Sequence, residues 1–172
     1  MPDKNEKTGT APTKPISTGA MPWTELNDLT NFKMRSRHLS RGMGPENYKI
    51  GVAMEELLPG NQNNPAHFHM VEEEHVFILS GSLTVRVGKE FHVMNAGDYI
   101  RFPAASPHEH CLYNHTSEPC RYIVIGDNDP LDVCVYPDSN KVGVTVMRQR
   151  FMRDHQDYWV GEGGLTGKDP KT

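Results

Sequence analysis

The chain lacks any apolar run approaching the ~20 residues that cross a bilayer, and its first residues lack the apolar core of a secretory signal, so a cytoplasmic location is expected. Cysteine is scarce: Cys111, Cys120 and Cys134 include no C-x-x-C pair and are odd in number, which argues against a disulfide framework. They are expected as small buried side chains. No Lys/Arg stripe is present, and a net charge of −4 with a pI near 6.1 argues against a nucleic-acid footprint. The most basic run, "RSRHLSR" at 35–41, reads as a solvated strand or loop rather than a phosphate patch. There is no internal repeat and no P-loop. Helical periodicity is almost absent; only "WTELNDLTNF" near the start offers a short helix, with Thr24 as its cap.

What the 172 residues do contain is one ordinary domain. Apolar residues make up only 36 %, but the ends account for much of the polarity. Residues 1–22 and 163–172 are rich in Lys, Thr, Pro and Gly and show no apolar period, so both are expected as disordered tails flanking a domain over 23–162. From residue 48 onward the apolar pattern is short and mostly of period two. "YKIGVAMEEL", "HVFIL", "LTVRV", "FHVM", "YIRF", "HEHCLYN", "RYIVIG", "DVCVY" and "VGVTVM" read as strands. Gly, Pro and Asn separate them, and Gly81 suits a tight turn that needs a positive φ. A parallel α/β sheet would need crossover helices, for which there is no room. The fold class expected is all-β, a sandwich or barrel.

The densest chemistry lies in "AHFHMVEEEH" at 66–75. His67 and His69 alternate along an extended chain, so both imidazoles can face one point. Glu74 has the other parity and joins them only if "MVEE" turns the chain. Glu72 and Glu73 read as solvated turn residues, although either would replace Glu74 if the turn were shorter. Further on, "PAASPHEHCL" supplies His108, with His110 on the same face as second sphere, fifth ligand or general base. Three neutral imidazoles and one carboxylate suit a divalent transition metal such as Fe, Mn, Ni or Zn. His75 and His92 alternate away from this set. "DNDPLD", with Asp127, Asp129 and Asp132, fails the EF-hand spacing and reads as a solvated turn. "HQDYWVGE" reads either as a cover over a barrel or partner, or as ordinary packing.

These residues resemble the cupin superfamily. "GNQNNPAHFHMVEEEHVFILSG" is similar to its first motif: Gly60, then His67-x-His69, Glu74 and Gly81, with six residues rather than five between Gly60 and His67. "GDYIRFPAASPHEHCL" is similar to the second: Gly97, Pro103, then His108. Two positions depart from the pattern: Ala105 stands where the family has Gly, and Leu112, four residues after His108, where it has Asn. The flanks, from about Arg35 to Val144, are similar to a bacterial subgroup of small single-domain cupins. The resemblance implies a double-stranded β-helix, a jelly-roll barrel with its site core over 48–126. It also implies a mononuclear metal held by His67, His69, Glu74 and His108.

For a cupin with this ligand set, dioxygenase-type oxidation of an oxygen-chelating substrate ranks first. A sugar-phosphate isomerase or lyase is the alternative, in which His110 would be the base and Arg86 or Arg101 a cationic anchor. A non-catalytic sensor of a sugar or organic acid is the reading from another class. The expected partner is a small polar substrate, with no nucleic acid and no membrane. A homodimer is expected because strand-like segments outside the two motifs could add to a neighbour's sheet and bury Tyr158 and Trp159.

Overall fold

The computed structural model describes residues 14–29, 31–42 and 48–160; most of both expected tails lies outside these. Among the described residues thirteen strands carry the fold: β1 (Thr24–Leu29), β2 (Phe32–His38), β3 (Ile50–Leu57), β4 (Phe68–His69), β5 (Glu74–Ser80), β6 (Ser82–Val87), β7 (Glu90–Asn95), β8 (Tyr99–Phe102), β9 (His110–Tyr113), β10 (Cys120–Asp127), β11 (Val133–Tyr136), β12 (Lys141–Val144) and β13 (Gln149–Met152). They form a six-stranded sheet in the order β1-β2-β3-β10-β5-β8, a four-stranded sheet β13-β12-β11-β4 and a three-stranded sheet β7-β6-β9, every pairing antiparallel. This is an all-β jelly roll.

Alternation builds the core. Val76 and Ile78 from β5, Leu83 and Val85 from β6, Leu112 from β9 and Tyr122 from β10 are fully buried and pack into one cluster. Cys111, Cys120 and Cys134 are buried and free. Gly81 turns β5 into β6 at φ +82, where an added Cβ would meet the Pro119 carbonyl oxygen at 3.0 Å.

The N-terminal segment corrects one expectation. Thr24 caps no helix; it opens β1, which pairs with β2 through Thr24–Ser36, Glu25–Arg35 and Leu26–Met34. Sheet pairing overrides a weak local helical preference here, helped by the Trp23 ring beneath the Arg35 and Arg37 guanidiniums at 4.8 and 4.0 Å. The basic run is strand as far as His38, with Met34 and Ser36 buried, and then makes a single helical turn, α1 (Leu39–Gly42). "VGVTVM" is only half strand: the chain turns after Val144 and returns as β13, which the apolar pattern did not suggest.

Candidate metal centre

His67 lies just before β4 and makes an isolated antiparallel bridge with His110, the first residue of β9. Each backbone N–H donates to the other's carbonyl, at 3.1 and 2.8 Å, so the backbone places the two imidazoles side by side with centroids 4.8 Å apart. His69 extends the same face, 5.0 Å from His67. The chain turns through Val71–Glu73, and β5 delivers Glu74, which corrects the parity. Donor atoms of His67, Glu74 and His110 all lie within 4.8 Å of one another. Glu74 bridges the set, with Oε1 at 3.7 Å from His110 Nε2 and Oε2 at 3.9 Å from His69 Nε2.

Each imidazole is oriented from behind. The Pro65 carbonyl can only accept, so His67 donates to it from Nδ1 at 2.8 Å and turns its Nε2 lone pair inward. Asp132 does the same for His69, accepting from Nδ1 at 2.7 Å, the carboxylate–histidine arrangement that fixes a metal-binding tautomer. Asp132 is itself buried and accepts from the Val71 and Glu72 N–H groups, which overturns its reading as part of a solvated turn. The His110 ring stacks on Phe102 at 3.7 Å, and its buried Nε2 has no hydrogen-bond partner among the described residues. Glu72 is half-buried rather than solvated and accepts from the Asp129 N–H at 2.8 Å. His75 faces away, against Glu73 and the Tyr99 hydroxyl, and His92 is exposed.

The electrostatics suit ligation. Burial and the neighbouring His110 push the His67 pKa down to about 4, so it is neutral near pH 7. Burial works against the Glu74 carboxylate, but His110, His67 and His69 outweigh it and hold the pKa below its ordinary value. Across the Glu74 wall, in a smaller cavity of about 260 Å³, burial raises the Glu55 pKa to about 7. The main cavity, about 800 Å³, opens from His67 and His69 past Cys134 and Tyr136 to Lys141 and Arg150.

His108 does not join this set. It precedes β9, is exposed, and lies against Gly88, where a Cβ would stand 3.3 Å from its Nδ1. The segment after Pro103 is two residues longer than a match to His108 assumes, and those residues move the inward position to His110. One signal pointed there: Asn114 stands four residues after His110, the spacing the motif requires. Asn114 is fully buried, donates to the Leu57 and Glu118 carbonyls, and accepts from Thr116, fastening the end of β9. Neither expected cationic anchor reaches the site, because Arg86 pairs with Glu109 and Asp138, and Arg101 with Glu73.

Comparison with known proteins agrees with the fold. Residues 53–126, from β3 to the end of β10, match the Cupin domain family. A crystal structure of a candidate sugar phosphate isomerase from Acidithiobacillus ferrooxidans is 25 % identical, with a TM-score of 0.67 over 74 % of this chain and 81 % of that one. A sugar phosphate isomerase of the cupin superfamily from Silicibacter pomeroyi has a TM-score of 0.71 at 22 % identity, over 83 % and 95 % of the two chains, a likeness of fold. The quercetin 2,3-dioxygenase of Bacillus subtilis is 29 % identical over 73 residues, 41 % of this chain; the chain spans only 22 % of that relative's length. A jelly roll whose strands gather histidines and a glutamate at its mouth defines a class of β-barrel proteins equipped to hold a metal. The chain carries a cupin domain over residues 53–126.

Proposed function

We propose that the chain is a metal-dependent enzyme acting on a small oxygen-chelating molecule through His67, His69, Glu74 and His110, with dioxygenase-type oxidation as the first reading. The observation that carries it is the His110 Nε2, buried without a partner among the described residues, 3.7 Å from Glu74 and grouped with His67. An unsatisfied buried nitrogen costs roughly 1–3 kcal/mol, and a cation accepting its lone pair would remove that cost. Bound there, Fe, Mn, Ni or Zn would supply Lewis acidity or a centre for dioxygen. The chain's own groups prepare the site. Pro65 and Asp132 hold the protons of His67 and His69 on Nδ1, and Glu74 stays ionised. Engaging His110 as a ligand removes it as the free base that isomerisation would require.

One observation favours the isomerase reading. The Glu55 carboxyl, at about 7, lines the cavity behind Glu74 and has the proton affinity of a working acid–base group. The two readings separate in one set of assays on protein loaded with each metal in turn. Oxygen uptake with catechols or flavonols, lost in Glu74→Gln, supports oxidation. Deuterium incorporation into aldose or ketose phosphates in D₂O without oxygen uptake supports isomerisation. Bound metal with neither activity leaves the non-catalytic binding module, and failure to bind any metal overturns the proposal.

A further inference from the structure

The four-stranded sheet shows what else the site holds. In antiparallel register His69 lies opposite Cys134, Cys134 opposite Gly143, and Gly143 opposite Arg150. Directly opposed residues share a face, so Arg150 projects on the same side as His69. The adjacent row runs from His67 to Tyr136, whose ring centroid is 5.7 Å away, and on to Lys141, opposite Tyr136 and 5.6 Å from its ring. Lys141 and Arg150 therefore stand on the floor that carries the two histidines, and both line the main cavity.

Gly143 shapes the space between them. A Cβ there would meet Arg150 Cγ and Tyr136 Cε2, each at 3.6 Å, so its absence leaves a trough between the basic end and the tyrosine. The two ends of the cavity differ in charge. The acids on the histidine side are engaged, Asp132 with His69 and Glu72 with the Asp129 N–H. Among the described residues, Lys141 and Arg150 have no acidic partner within 4 Å. With strands ~4.8 Å apart, the backbone of Lys141, two strands from the histidines, is set back roughly 10 Å and that of Arg150, three strands away, roughly 14 Å. The Arg150 side chain lies alongside Gly143 between them.

We infer that the cavity takes a substrate with an anionic end, a carboxylate or a phosphate, seated on Lys141 and Arg150 while its opposite oxygens face His67 and His69. This rests on the reading of the site as one for an oxygen-chelating small molecule. Arg150 offers a planar fork for paired oxygens, Lys141 a point charge, and the Tyr136 hydroxyl lies beside the guanidinium.

Calorimetric titration with inorganic phosphate, and separately with malonate, tests the seat on both metal-loaded and metal-free protein. At least one of the two probes should bind saturably, and which one binds identifies the group. Lys141→Gln and Arg150→Gln should each raise Kd about tenfold or more, the worth of one charge-assisted hydrogen bond. Their metal content and melting temperature should stay at wild-type values. Gly143→Val should fill the trough and weaken binding similarly. Arg101→Gln, whose parent side chain pairs with Glu73 outside the cavity, should change nothing. Saturable binding of neither probe, or unchanged Kd in all three cavity variants, overturns the inference. Metal uptake without anion binding sinks this inference alone, whereas anion binding without metal uptake sinks only the metal reading.

Discussion

At the scale of single residues, His108 and His110 project alike from an extended chain, so the choice between them depends on where β9 begins. Because β9 opens at His110 through its backbone bridge to His67, His110→Ala should lower metal affinity by more than about 100-fold, and His108→Ala should leave it near wild type. Asp132→Asn belongs between them, with a loss of about 10–100-fold. Metal content after dialysis, read by plasma emission, checks the order; a larger loss in His108→Ala would restore that residue to the ligand set. His67, His69 and Glu74 were legible because their spacing lies within a few residues of one strand and one turn. Asp132 was not legible, since it arrives from a loop far along the chain, where an acid in a turn carries no local signature. The Ala105 departure also has a physical content: at φ +55 it occupies a left-handed conformation that glycine adopts without strain, and its N–H donates to the His69 carbonyl at 2.8 Å.

At the scale of elements, three strands of the large sheet are tied by one carboxylate. Glu56 on β3 lies opposite Arg35 on β2 and Arg121 on β10, is buried, and accepts from both guanidiniums. Burial opposes its ionisation, but the two arginines prevail and hold the pKa below its ordinary 4.5. The unfolded chain therefore binds the proton more tightly than the native one. Stability from this group is complete above about pH 4.5 and is lost as pH falls through the native value. Glu56→Gln should cost about 1–2 kcal/mol at neutral pH, discounted because both guanidiniums remain partly in water. The gap to wild type should shrink in acid, as measured by urea melts across that range; a gap that widens would refute the pairing. Period-two patterning made most of these strands readable. It failed for β1, where pairing rather than local preference decides, and for β13, whose exposed residues leave no alternation to read.

At the scale of the molecule, the described surface keeps large apolar groups in water. Tyr158 and Trp159 are 82 % and 72 % exposed, and Phe91 and Val93 lie open on β7. The six-stranded sheet ends at β1 and the four-stranded sheet at β13, two edges that no other strand covers among the described residues. We therefore expect a twofold homodimer that covers an edge and the aromatic pair. Sedimentation at micromolar concentration checks this: a 19.4 kDa species refutes it. A dimer that persists after deletion of residues 154–172 removes the aromatic segment from the explanation.

The backbone bridge between His67 and His110 also sets an order of events in time. These two residues are distant in the chain, and each receives its place from the other, so neither half of the sequence contains the site alone. Closing such a long loop is slow compared with forming a hairpin such as β6–β7. The full donor set therefore meets only when the barrel shuts, because His110 joins the local group of His67, His69 and Glu74 only then. Complete coordination of an ion would mark the end of folding rather than its beginning.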